Sequence, residues 1–102
     1  MRKSQVLKIV KISKNKYFSE YFIVKYVLLK HDNNNVFISI GKKIGKANMR
    51  NKIKRRIKYC LYQKILNQQI VMFFIILKPM DYLLIKKRIE ILISFINNQK
   101  LS

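Results

Sequence analysis

Between Gly41 and Tyr62 the chain reads GKKIGKANMRNKIKRRIKYCLY, a segment with nine lysines and arginines and no acidic residue. Its apolar residues are spaced so that only one local structure separates them from that charge. At about 100° per residue on a helix, Met49, Ile53, Ile57, Cys60 and Leu61 gather on one side. Asn51, Lys54, Arg55, Lys58 and Tyr62 fall opposite, with Lys52 and Arg56 on one flank and Arg50 on the other. The segment is therefore expected to be a helix anchored by a greasy back and presenting a cationic front to a polyanion. Gly45 is a natural breaker ahead of it. Asn48 is the expected N-cap, because its side-chain carbonyl can accept from the free N–H groups of the first turn. The helix is expected to run from there to about Asn67.

The rest of the chain must supply the core on which that helix rests. A length of 102 residues makes a single domain, 1–102, with a modest core. Half the residues are hydrophobic, which excludes disorder throughout. The formal net charge is +19, from 23 Lys plus Arg against 4 Asp plus Glu, and self-repulsion of that size favours an anionic partner. Nucleic acid is the first candidate and an anionic membrane surface the second. Enrichment in Ile, Lys and Asn would also follow from an AT-rich coding genome, so lysine number alone is weaker support for a polyanion than lysine spacing. One cysteine, Cys60, excludes an internal disulfide and reads as a reduced core residue. The apolar stretch near the N-terminus is broken by Lys8 and Lys11, unlike a secretory signal. The longest apolar run, Ile70 to Leu77, is far short of a spanning helix, so the chain reads as cytoplasmic.

In chain order, Met1 to Asn15 carries Val6, Ile9 and Val10 near helical spacing and is read as a short amphipathic helix. Tyr17 to Lys30 is aromatic and β-branched, a strand. His31 to Asn35, HDNNN, reads as a turn, and Val36 to Ile40 as a second strand forming a hairpin with the first. After a polar loop at 67–69, Ile70 to Lys78 reads as a central strand covered on both faces and ended by Pro79. Asp81 is the expected cap of a last helix whose Ile85, Ile89, Leu92, Ile93 and Ile96 recur at helical spacing, before a frayed tail from Asn97. The order helix, strand, strand, helix, strand, helix makes an α+β sandwich with helices packed on a mixed sheet.

Little in this inventory could catalyse a reaction. Glu20, Asp32, Asp81 and Glu90 are spread over different elements, His31 stands alone in its turn, and Cys60 has no His beside it in sequence. Two-metal hydrolysis needs a carboxylate cluster, and no spacing here supplies one. The chain is expected to bind, to hold no metal or cofactor of its own, and to have no catalytic residue.

The run KKIGKANMRNKIKRRIK resembles the signature of the bacterial-type ribonuclease P protein component. In that family a Lys-Lys-hydrophobic-Gly turn precedes a helix with a basic-Asn-basic triplet, a Lys-Arg pair and a further basic position. Here these are Arg50, Asn51 and Lys52, then Lys54 and Arg55, then Lys58. The resemblance implies contacts from those six to a catalytic RNA subunit, extended by Lys42, Lys43 and Lys46 of the turn. It implies that the chain is an accessory subunit of an endoribonuclease that trims the 5′ leader of precursor tRNA, and that the RNA carries the active site and its Mg²⁺. It also implies a left-handed crossover between the last two strands and a short extra strand near Tyr17. The family's leader-binding cleft is lined by aromatics, and Phe22, Lys25 and Tyr26 are the candidates for that role; the Phe pair expected on the first helix is replaced by Leu7 and by Val10 or Lys11. A ribosomal or other structured-RNA-binding protein is the alternative, since charge and size alone fit it equally well.

Overall fold

A computed structural model describes residues 3–28, 35–63 and 70–98. Three helices pack on a four-stranded mixed sheet, as the expected α+β class requires. Helix α1 is Lys3–Lys11, β1 Lys16–Phe18, β2 Phe22–Leu28, β3 Asn35–Ile40, α2 Ala47–Gln63, β4 Ile70–Ile76 and α3 Tyr82–Asn98. A single 3-10 turn, Lys42–Ile44, precedes α2.

The sheet order is β1-β2-β4-β3. Strands β1 and β2 are antiparallel, β2 and β4 antiparallel, and β3 and β4 parallel. This corrects the expected hairpin, because β4 lies between β2 and β3. The reason is burial: β4 is apolar at every position and suits the middle of a sheet, whereas β3 exposes Ser39 and tolerates an edge. The aromatic stretch from Tyr17 is two strands, joined through Ser19, whose N–H donates to Phe22 O at 2.9 Å and whose Oγ accepts from the Tyr21 N–H at 3.1 Å. The expected extra strand near Tyr17 is thus β1. The HDNNN turn, apart from Asn35, and the 67–69 loop lie outside the described residues, as does the expected stretch of α2 past Gln63.

Alternation along the strands divides two cores. On one face Phe22, Val24, Tyr26, Met72 and Phe74 pack against Ile53 and Ile57 of α2 and Ile85, Ile89 and Leu92 of α3. The rings of Phe22 and Phe74 meet edge-on, 5.4 Å apart, and Tyr17 lies 5.0 Å from Phe95. Cys60 is buried in this core, as expected. On the other face α1 buries Val6 and Val10 against Val71, with its own Leu7 and the strand residues Val27, Phe37 and Phe73 partly buried around them. A helix of nine residues cannot cover a sheet face, so much of this side stays open.

Helix α3 opens on a side-chain cap. The Asp81 carboxylate accepts from the Leu84 N–H at 2.8 Å, the expected cap, and the helix continues through Asn98, past the expected tail boundary. Beside it Lys78 Nζ donates to Glu20 at 3.0 Å, and this hydrogen bond, with the charge that Lys78 carries, holds the Glu20 carboxyl below the usual carboxylate range. Both partners are more than half exposed, so the pair adds little stability.

Candidate nucleic-acid interface

Helix α2 is oriented by Ile53, Ile57, Cys60 and Leu61, all buried. It starts a little earlier than Asn48: the Arg50 N–H donates to Lys46 O at 3.0 Å, placing Lys46 at the cap. Gly45 makes this entry possible. Its backbone, at φ 154° and ψ −174°, lies in a region almost closed to other residues, and a Cβ there would stand 2.7 Å from Met49 Sδ. Met49, expected on the anchoring stripe, is instead 46% exposed on the flank where it covers Gly45.

With the stripe seated, the cations face outward. Asn51, Lys52, Lys54, Arg55 and Lys58, together with Asn48, line one shallow concavity on the outer side of α2. Lys42, Lys43 and Lys46 are exposed on the approach to the helix. Arg50 is placed differently. It is half-buried, does not line this concavity, and its Nε is shielded from solvent with no hydrogen-bond partner. A shielded N–H without an acceptor costs about 1–3 kcal/mol. The described residues around α2 bring no carboxylate into this concavity.

Of the residues expected to meet a leader, two are buried. Phe22 and Tyr26 are 0% and 2% exposed in the main core, so neither ring can stack on a base. They alternate with Lys25, which lies on the open face and donates through Nζ to Lys11 O at 2.9 Å. The register sets Lys25 opposite Phe73, and Phe73 opposite Phe37, a row across β2, β4 and β3. Lys11 of α1 completes it, its Nζ 5.5 Å from the centre of the Phe73 ring. Phe37 and Phe73 are both partly buried; β4, apolar at every position, gave no sign of which side is covered, and Ser39, on the same face of β3 as Phe37, was the signal that could have pointed there. Tyr21 sits in the turn before β2 and packs toward the main core, under the Arg88 guanidinium at 5.2 Å.

Among the described residues, no three His, Cys, Asp or Glu side chains gather where a metal ion could sit. No helix of the described residues is long and apolar enough to cross a membrane.

Comparison with known proteins gives a consistent result. The ribonuclease P protein component of Helicobacter hepaticus is 43% identical over 63 residues, 58% of this chain and 42% of that protein. The matched stretch thus spans less than half of that relative's length. The Staphylococcus aureus RNase P protein superposes with a TM-score of 0.75 at 25% identity, over 94% of this chain and 92% of that one. The Thermotoga maritima RNase P protein gives a TM-score of 0.77 over 93% and 94% of the two chains, and at 19% identity it attests the fold. The sequence model of the family described as Ribonuclease P matches residues 1–95. The chain belongs to the ribonuclease P protein family.

Proposed function

We propose that this chain is the protein subunit of a ribonuclease P ribonucleoprotein, docking through α2 on a catalytic RNA that removes the 5′ leader of precursor tRNA. The observation that carries the reading is the convergence of Asn51, Lys52, Lys54, Arg55 and Lys58 on one concave, acid-free surface of a firmly anchored helix. Cations there neutralise phosphates, and Asn51 can donate and accept at a base or sugar edge. Arg50, half-buried on the flank of α2, would reach the RNA through the rest of its guanidinium and not through its shielded Nε. The chain contributes binding and positioning, while hydrolysis and the Mg²⁺ ions that serve it belong to the RNA. The open sheet face at Lys25, Phe37 and Phe73 faces the single-stranded leader. Working as part of such a particle, the protein acts in the cytoplasm.

Two measurements test this. Replacing Arg50 and Lys54 together by Ala should weaken binding to the host's RNA subunit by at least tenfold, since charge-assisted contacts contribute about 1.5–3 kcal/mol each. Adding the wild-type chain should lower the Mg²⁺ that the RNA needs to cleave precursor tRNA. An unchanged Mg²⁺ requirement, with co-purification on ribosomal subunits, would reassign the chain to a structured-RNA binder without a nuclease role.

A further inference from the structure

Next to the outer face of α2 lies a second concavity of different chemistry. It is a groove of about 760 Å³ between the start of α2 and the start of α3. Its floor is apolar: Ile44, Ile53 and Met80 are nearly buried, and Met49 closes one side. Lys46, Lys52 and Arg56 stand around it, and Asp81 lies at its α3 end. A site for free phosphate has no use for such a floor, and an apolar ligand has no use for three cations. A nucleotide uses both, with a flat base on the apolar floor and phosphates among the cations.

We infer that this groove seats one unstacked nucleotide of the RNA on which α2 docks. The inference rests on the reading of α2 as an RNA-docking helix and adds residues outside that motif. Arg56 lies on the flank of α2 away from Arg50, and its guanidinium is 5.9 Å from the centre of the Tyr82 ring. Tyr82 and Tyr59 remain 39% and 53% exposed, and Tyr59 shares a hollow with Lys52, Arg55 and Arg56. Exposed rings and guanidinium planes are what an unpaired base stacks on. Lys52 lines this groove, that hollow and the concavity of Asn51, so the three form one continuous surface. Asp81 gives one carboxylate oxygen to the Leu84 N–H. Its other oxygen can accept from a base amino group or a ribose hydroxyl, and its charge turns away a second phosphate.

The four methionines provide the readout, since Met49 and Met80 line the groove while Met72 is buried under the sheet. With methyl-labelled methionine in the full chain, millimolar adenosine 5′-monophosphate should shift the Met49 and Met80 signals and leave Met72 in place. Arg56→Ala and Tyr82→Leu should each weaken that binding by about fivefold or more, as expected for loss of a stacking contact. Lys8→Ala, exposed on α1 at the opposite face of the sheet, should not, and an unmoved Met72 signal in each variant verifies its fold. Equal shifts with inorganic phosphate alone, or with an acidic peptide, would overturn the inference, as would silence at Met49 and Met80. Affinity for the RNA subunit, measured on Arg50→Ala with Lys54→Ala, separates the two readings: if it falls while the groove stays silent, only the groove assignment fails.

Discussion

Gly45 connects backbone stereochemistry to the interface. The basic helix can begin where it does because this residue adopts a φ of 154°, and because nothing but hydrogen occupies the space where Met49 folds back. Substitution by Ala is expected to destabilise the fold by about 1–3 kcal/mol, from the disallowed backbone alone, and to displace Met49 as well. Chemical denaturation of Gly45→Ala against wild type checks this. Gly41 is the control, since a Cβ there meets nothing within 4 Å and Gly41→Ala should be close to neutral. Equal stability of the two variants would show that the start of α2 is not built on Gly45. In the sequence Gly45 was legible only as a breaker. Its neighbour Asn48 has the composition of a cap, but Lys46 holds that position and Asn48 is exposed in the first turn of α2.

At the scale of elements, periodicity succeeded for the two long helices, each with one polar face. The buried stripes of α2 and α3 fall on the residues that helical spacing selects, apart from Met49, and Asp81 caps α3. It failed where both faces are apolar. Strand β4 has no polar position to show which neighbour it takes, so its insertion between β2 and β3 could not be read. The same silence hid Phe73, whereas Lys25 on β2 and Ser39 on β3 are polar marks of the face that Phe37 and Phe73 share, opposite the buried Phe22 and Tyr26. That face is open because α1 is short and anchors through two valines. Phe37→Leu with Phe73→Leu keeps the apolar bulk and removes the aromatic faces. Affinity for precursor tRNA in the reconstituted particle should drop by about fivefold or more, as for one lost stacking contact, while affinity for mature tRNA stays level. A parallel loss for both substrates would move the leader off this face.

For the whole molecule, the decisive quantity is the charge of +19 on 102 residues. Repulsion of this size opposes the compact state, and added salt relieves it by screening. Salt also weakens RNA binding: the eight cations Lys42, Lys43, Lys46, Arg50, Lys52, Lys54, Arg55 and Lys58 predict a slope of about −6 to −7 in log affinity against log salt. The two effects have opposite signs, which makes them separable. The melting temperature of the free chain should rise with sodium chloride. At fixed low salt, the RNA subunit at about a hundred times its dissociation constant should add about 2.7 kcal/mol of stability. For a domain of this size that corresponds to a rise on the order of 10–20 °C. Raising the salt should then shrink the increment due to RNA while the free chain continues to gain. A free chain indifferent to salt would mean that its cations are already spaced widely enough to fold alone, and an increment that survives high salt would mean that apolar contacts, such as a base in the α2 and α3 groove, carry more of the binding than phosphates do.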